Sequence, residues 1–159
     1  MCSGCISDEV VAGEVRFGEH VKEPLLHRIT CMGPNPHWCV DCEILKSPSY
    51  GCDDPLDAPF HELIKTRDKA RVYKLVLKPG ESHQTMYGFH HCVVVFTDCK
   101  VGTTLNGGLI GVAAGRNDMI ERKTGDVFWR DGRVLVFEEN AGNEDLCFFI
   151  FEYRVWPDQ

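Results

Sequence analysis

Three histidines and a tyrosine, side chains suited to metal binding or to proton transfer near neutral pH, lie close together in the sequence. They are His83, Tyr87, His90 and His91. Because successive side chains of a strand point to opposite faces, the neighbours His90 and His91 cannot bind the same ion. Two kinds of chemistry remain open. His83 and His91 could join a nearby carboxylate in a metal site of unusual spacing, or Tyr87 and His91 could form a metal-free acid–base pair.

The chain contains nine cysteines, and two pairs of them have the Cys-x-x-Cys spacing found in zinc sites. These pairs are Cys2 with Cys5 and Cys39 with Cys42. No apolar stretch of the kind found in secretory signals follows the first residues. We therefore expect a cytoplasmic, reducing environment, in which cysteines are free thiols or metal ligands rather than disulfides. The sequence leaves free thiols and zinc binding both open for these four residues.

Length and composition are those of one globular domain with a hydrophobic core. The 159 residues are 43% hydrophobic and carry a formal net charge of −7. An acidic chain lacks the basic face that displaces counterions from nucleic acid, so we expect no nucleic-acid partner. No apolar run approaches the roughly 18 residues that a membrane span needs, so we expect no span.

The sequence changes in character near residue 59. Residues 1–58 are rich in cysteine, proline and glycine and poor in periodic segments, which predicts a loop-rich extension. Residues 59–159 contain short runs of alternating or apolar residues separated by glycine-containing turns, which predicts an antiparallel all-β domain. The predicted strands lie within residues 61–66, 71–77, 92–96, 126–129, 134–137 and 146–153. We expect the extension to pack along the outside of this domain or to join its sheet.

Two segments resemble the conserved motifs of the cupin superfamily, the RmlC-like jelly rolls. Residues 73–82 are similar to the strand and turn that open the cupin barrel, and residues 125–129 resemble the start of the second motif. Asn140 matches the asparagine that ends the second motif. The stretch 61–69 further resembles a group of plant and algal RmlC-like cupins of no assigned biochemical role. The resemblance covers about residues 60–155 and implies an antiparallel jelly-roll barrel.

Cupins typically hold a divalent metal through a His-x-His pair, a glutamate and a third histidine, and this chain departs from that pattern. One alignment of the first motif places Met86 and Gly88 at the paired histidine positions, and the other places Thr85 and Tyr87 there. Val136 occupies the position of the third histidine. The resemblance therefore implies a degenerate metal site, and we expect neither a bound metal nor another cofactor.

A metal-free cupin of this kind is expected to bind a small molecule of unknown identity or to act as a protein-interaction module. The inward positions of the motif strands would line the ligand pocket, with Thr85 at its mouth. The predicted ligand-binding residues are Thr85, Tyr87, His91, Val93, Phe128 and Val136. Catalytic residues are not assigned.

Enzyme activity is the alternative. Some relatives of the fold, the sugar-nucleotide epimerases, use a histidine base and a tyrosine acid, and the resemblance allows Tyr87 and His91 to act in this way as a metal-free isomerase or epimerase. A metalloenzyme with displaced ligands such as His83 and His91 is the other form of this alternative. No carboxylate lies at a recognisable spacing to orient the histidine. Cupins often dimerise through edge strands, so we also expect a homodimer.

Overall fold

The computed structural model describes residues 10–18, 30–31, 33–36, 38–44, 54–107 and 118–154. Cys2 and Cys5, one of the two predicted zinc pairs, lie outside these residues. Within them the chain forms strands and no helix, so no helix in this part of the chain is long and apolar enough to cross a membrane. The strands are β1 His61–Thr66, β2 Ala70–Leu77, β3 Ser82–Tyr87, β4 His91–Val95, β5 Cys99–Gly107, β6 Asp118–Arg122, β7 Val127–Arg130, β8 Val134–Asn140 and β9 Leu146–Tyr153.

The strands form two antiparallel sheets. The first sheet has the order β1-β2-β9-β4-β7, and the second has the order β3-β8-β5-β6. Strands that follow one another in sequence, such as β2 and β3 or β7 and β8, often lie in different sheets, which is the wiring of a jelly roll. The antiparallel all-β fold predicted from the sequence is confirmed.

The jelly-roll barrel that the resemblance implies is not closed by backbone hydrogen bonds in the part of the chain that the structure describes. Among the described residues the edge strands of the first sheet, β1 and β7, pair with no strand of the second sheet, whose edges are β3 and β6. The described strands therefore form an open sandwich of two sheets, which side chains rather than a continuous ring of backbone hydrogen bonds hold together. The predicted homodimer, which would use these edges, stays a prediction.

Alternation along the strands produces one main core between the sheets. In β2 and β9 the residues Leu75, Leu77, Leu146 and Phe148 are fully buried and pack together on the inner face. In β4 the inner residues Val93 and Val95 join the same core. Each residue of this core lies two positions from the next along its strand, which is the spacing that puts side chains on one face.

One cross-strand row on the inner face of the first sheet is polar. It consists of Arg71, Glu152, His91 and Arg130, which are paired across β2, β9, β4 and β7 and are all buried. Polar side chains of the first sheet's inner face are thus gathered at one end of the space between the sheets, above an apolar floor. The charged and imidazole groups of this face that could bind a polar ligand therefore lie at that end.

The described parts of the N-terminal region contact the first sheet. Lys65 Nζ of β1 donates a hydrogen bond of 3.1 Å to the Val15 carbonyl oxygen. The Leu56 backbone N–H donates to the Tyr73 hydroxyl at 3.0 Å. The division into an extension of residues 1–58 and a barrel of residues 59–159 stays a prediction, because these contacts do not show which part folds independently.

Both ends of strand β8 have distinctive local features. Arg133, in the turn between β7 and β8, has a φ of 60°, a left-handed conformation that favours glycine. At the other end the Asn140 side-chain amide donates 2.8 Å hydrogen bonds to the Leu77 and Glu144 carbonyl oxygens. Asn140 therefore ties the end of β8 to β2 and to the loop before β9.

Candidate functional site

The candidate site lies between the two sheets at the polar end of the core. Strand β3 contributes His83, Thr85 and Tyr87, which alternate with exposed residues and point inward. Strand β8, paired with β3, contributes Glu138 directly opposite His83. The first sheet faces them with His91 and Arg130, which are paired with each other in the β4–β7 ladder.

A buried carboxylate links the two sheets through a histidine and an arginine. Arg130 Nη2 donates to Glu138 Oε1 at 2.6 Å, and His83 Nε2 lies 3.1 Å from Glu138 Oε2. His83 Nδ1 is 2.9 Å from the Thr85 hydroxyl oxygen. Burial opposes ionisation of Glu138, but the Arg130 guanidinium and the His83 hydrogen bond outweigh it and lower the pKa to about 2. Glu138 is therefore an anion that holds His83 and Arg130 in fixed positions.

Tyr87 is hydrogen-bonded to a histidine at the edge of the site. The Tyr87 hydroxyl oxygen lies 2.6 Å from His61 Nε2, and His61 Nδ1 lies 2.8 Å from the Pro59 carbonyl oxygen. A carbonyl only accepts, so Nδ1 carries the proton, and in the neutral ring Nε2 accepts from the Tyr87 hydroxyl. Burial lowers the pKa of His61, which favours that neutral form. Because His61 is half-buried, it connects the enclosed phenol to the surface.

His91 has one ring nitrogen without a partner. Its Nδ1 donates to the Phe89 carbonyl oxygen at 3.2 Å, which leaves Nε2 as an acceptor in the neutral ring. Among the described residues Nε2 has no hydrogen-bond partner, although the side chain is 0% exposed. Burial lowers the pKa of His91 to about 4, so the ring is neutral at pH 7.

Arg130 also has a buried nitrogen that lacks a hydrogen-bond partner among the described residues. Its Nη1 is buried and has no hydrogen-bond partner in the described part of the chain, although Nη2 is bound to Glu138. An acceptor at His91 and a donor at Arg130 therefore lie on neighbouring strands without partners, beside the Tyr87 ring, whose centre is 4.4 Å from that of His91. Buried polar groups normally have partners, since an unpaired one costs about 1–3 kcal/mol.

The residues predicted to bind a ligand lie on the inner faces of the two sheets. Five of them are buried: Thr85, Tyr87, His91, Val93 and Val136. The sixth, Phe128, is half-buried and packs against the same core. One detail differs from expectation: Thr85 is 4% exposed and bonded to His83 rather than placed at a pocket mouth. Tyr87 bonds to His61. Their role in ligand binding stays a prediction.

Sequence reasoning missed three residues of the site: His61, Arg130 and Glu138. The sequence offers no recognisable carboxylate to orient a histidine, yet Glu138 orients His83. Strand parity could have found it, since Glu138 lies two positions after Val136 and must share its inward face. The same parity places Arg130 beside Phe128. His61 has no such signal, because only the packing of β1 against β3 brings it to Tyr87.

The described residues do not fit the metal site that the cupin family implies. Glu138 is already bound by Arg130 and His83, and both ring nitrogens of His83 lie within hydrogen-bond distance of protein oxygens. Nowhere in the described ranges do three or more His, Cys, Asp or Glu side chains form a group able to hold a metal ion. The metalloenzyme that would use His83 and His91 thus lacks a matching donor set here.

The Cys-x-x-Cys segment at residues 39–42 does not form a cluster of thiols. Cys39 is exposed, whereas the Cys42 sulfur is turned toward Cys92 and Tyr153 on the outer face of the first sheet. Both cysteines of the pair are free thiols. The zinc interpretation therefore finds no support at this pair.

No protein-family model matches the chain, and no curated protein matches it. Similar solved structures do exist, and several are cupins. A cupin domain from Bordetella pertussis is 14% identical, with a TM-score of 0.49, and the match covers 62% of this chain and 98% of that one.

Two further similar structures are a cupin family protein and an enzyme. An RmlC-like cupin family protein from Methanocaldococcus jannaschii is 15% identical over 70% of this chain and 93% of that one, with a TM-score of 0.46. An oxalate decarboxylase variant from Bacillus subtilis is 18% identical over 54% of this chain and only 22% of that one, with a TM-score of 0.45. The resemblance to plant and algal cupins stays a prediction. The order and antiparallel pairing of its own strands give this chain the double-sheet jelly-roll fold that cupins have.

Proposed function

We propose that this chain is a metal-free cupin that binds a small polar molecule between its two sheets. The observation that carries the proposal is that two buried nitrogens on the paired strands β4 and β7, His91 Nε2 and Arg130 Nη1, have no hydrogen-bond partner among the described residues. The neighbouring side chains Glu138, His83 and Tyr87 do have partners. A ligand that satisfied both nitrogens would recover the free energy that their burial costs.

The chemistry of the two nitrogens indicates the class of ligand. His91 Nε2 accepts, so the ligand needs a hydroxyl or amine donor, whereas Arg130 Nη1 donates, so the ligand needs a carbonyl or carboxylate oxygen. Val93 and Val136 supply apolar contacts beside them. We therefore infer a short molecule that carries a hydroxyl group close to a carbonyl or carboxylate. The free cysteines support a reducing, cytoplasmic location for this function.

Thermal unfolding with a panel of 2-hydroxy acids, 2-keto acids and aldoses tests the proposal. A ligand at about 100 times its Kd should stabilise the native protein by about 2.7 kcal/mol, which raises Tm by several degrees. His91→Ala should weaken binding at least tenfold, and EDTA should leave it unchanged. Met86→Ala, an exposed position on β3, is the matched control and should bind like the native protein.

Two results would contradict the binding proposal. If the compounds bound His91→Ala as tightly as the native protein, the site would lie elsewhere. If no compound bound at millimolar concentration, the proposed ligand class would be wrong and the protein-interaction module would be favoured instead.

A metal-free isomerase is the second candidate, and the hydrogen bond between His61 and Tyr87 favours it. In this reaction His91 Nε2 would take the proton from the carbon next to a carbonyl, and the Tyr87 hydroxyl would return a proton to the opposite face of that carbon. His61 would then reprotonate Tyr87 from solvent, and His91 would release its proton to solvent, so the protein ends as it began. The low pKa of His91 makes it a weak base, which is why binding is the first proposal.

Exchange of carbon-bound hydrogen in D₂O distinguishes catalysis from binding. If the chain is an isomerase, NMR should detect deuterium entering the panel compounds at the carbon next to the carbonyl. His91→Ala should reduce the exchange rate by about 10²–10⁴-fold, the usual contribution of a general base. A compound that binds the native protein and shows no exchange would exclude the isomerase and leave the binding function.

A further inference from the structure

A second candidate site lies on the opposite, outer face of the first sheet. Residues 15–18 and 40–44 border a groove of about 600 Å³, whose floor is formed by the outer side chains of β1, β2 and β9. Cys42, which is half-buried, lies in the wall of this groove together with Tyr153. The candidate binding residues between the sheets take no part in it.

A second thiol lies beneath Cys42. Cys92 belongs to β4 and, unlike its neighbours His91 and Val93, points outward into a small apolar cluster with Val94 and Phe149. It is 8% exposed. The Cys92 thiol and the Tyr153 hydroxyl both donate to the Cys42 sulfur. Two thiols from segments far apart in the sequence are thus held in contact, one reachable from the groove and one enclosed.

This arrangement gives the two thiols different chemistry. The hydrogen bonds from Cys92 and Tyr153 favour the thiolate of Cys42 and lower its pKa to about 6, despite partial burial. The same contact with Cys42, together with burial, raises the pKa of Cys92. Since the thiolate is the nucleophile in disulfide exchange, Cys42 is the attacking cysteine and Cys92 is the resolving cysteine.

We propose that Cys42 and Cys92 form a redox-active pair that reacts with small anionic disulfides entering the outer groove. The Cys42 thiolate attacks one sulfur of the disulfide, forms a mixed disulfide with it and releases the other half as a thiolate. Cys92 then loses its proton to solvent and attacks the Cys42 sulfur, which releases the second half. One disulfide of the reagent is reduced to two thiols, and one Cys42–Cys92 disulfide is formed.

The charges around the groove indicate an anionic reagent. Among the described residues, four basic side chains line it, Arg16, Lys65, Arg67 and Lys69, against the two acidic side chains Asp41 and Glu43. Arg16 is also paired with Glu14 at 2.6 Å, which leaves a net excess of one positive charge. An excess of positive charge attracts carboxylates, and salt weakens that attraction over a Debye length of about 8 Å at physiological ionic strength. A disulfide that carries carboxylates should therefore react faster than a neutral one, and the difference should shrink as salt is added.

Reaction of the full chain with glutathione disulfide, followed by alkylation and peptide mass spectrometry, tests the proposal. The native protein should lose two hydrogens and give a Cys42–Cys92 crosslinked peptide. Cys92→Ser should instead accumulate glutathione on Cys42, and Cys42→Ser should give neither product. Cys39→Ser, which removes the exposed thiol of the same segment, is the matched control and should react like the native protein.

Three further measurements keep the test decisive. Cys92→Ala replaces Cys92→Ser if the buried hydroxyl impairs folding, and it should trap the same mixed disulfide. Alkylation of Cys42 by iodoacetamide should follow the thiolate with a midpoint near pH 6, and Tyr153→Phe should raise that midpoint. Hydroxyethyl disulfide, which is neutral, should react more slowly than glutathione disulfide at low salt.

The proposal is wrong if Cys31 and Cys39 react with glutathione disulfide as fast as Cys42 does, because the groove would then not increase the reactivity of Cys42. It is also wrong if neither Cys92 variant traps a mixed disulfide on Cys42. Equal rates for the neutral and the anionic disulfide would overturn the inferred class of reagent.

Discussion

Replacing Glu138 with glutamine should lower the free energy of unfolding by about 3–5 kcal/mol, the usual cost of removing one partner from a buried ion pair. Glu138 is 0% exposed, and its two oxygens bind Arg130 of the opposite sheet and His83 of the paired strand. Glutamine keeps the shape but leaves the Arg130 charge without its counter-ion. Urea unfolding, monitored by circular dichroism, measures the loss.

The neighbouring carboxylate provides the control for the Glu138 variant. Glu139 lies on the same strand but points to the other face, so Glu139→Gln should change stability by no more than about 0.5 kcal/mol. The double variant Glu138→Leu with Arg130→Met removes both charges and should be more stable than Glu138→Gln. A loss below about 1 kcal/mol for Glu138→Gln would mean that the pair does not hold the sheets together.

Acidification should destabilise the protein between about pH 6.5 and pH 4 through His91. Burial lowers the pKa of His91 to about 4 in the native state, whereas an unfolded chain has a histidine pKa of about 6.5. Between these values the unfolded chain binds a proton that the native protein does not, so unfolding becomes easier as the pH falls. The difference of about 2.5 pKa units corresponds to about 3 kcal/mol, fully present above pH 6.5 and lost near pH 4.

The groups that face His91 explain why it stays neutral. The cation of Arg130 opposes a second positive charge, and the carboxylate of Glu138, which would favour one, is less important than burial. Tyr87 covers the ring on the other side without a hydrogen bond to it. His61 should also make the native protein less stable in acid, because burial lowers its pKa as well.

Comparison with a variant isolates the His91 contribution from that of the carboxylates. The loss of unfolding free energy from pH 7 to pH 4.5 should be about 2–3 kcal/mol smaller in His91→Gln than in the native protein. Met86→Ala, on the exposed face of β3, should keep the native pH dependence. NMR signals of the His91 ring that titrate near pH 6.5 would contradict the prediction.

Alternation along the strands predicts which face each residue of the candidate site occupies, but not which of these residues contact each other. Tyr87, His91, Val93 and Val136 lie on the inner faces, as alternation along their strands predicts. Arg130 and Glu138 follow the same alternation, but their contact of 2.6 Å runs between the two sheets. A pairing of this kind depends on how two sheets are stacked, which alternation does not encode.

The sequence by itself determined the all-β fold, the approximate strands and the face that each inward residue occupies. Turn residues and the period of two are local properties, so each can be recognised without knowledge of distant segments. It also indicated the absence of the usual cupin ligands, since Val136 stands where the third histidine would be. These features depend only on which residues are neighbours along the chain.

Only the tertiary structure decided which of these residues act together. Tyr87 pairs with His61, 26 positions away, and Cys42 contacts Cys92 rather than its near neighbour Cys39. The openness of the sandwich likewise depends on whether edge strands from two sheets come within hydrogen-bond distance. Contacts between distant segments depend on how one whole sheet packs on the other. Because many residues determine that packing jointly, these contacts cannot be predicted from neighbours along the sequence.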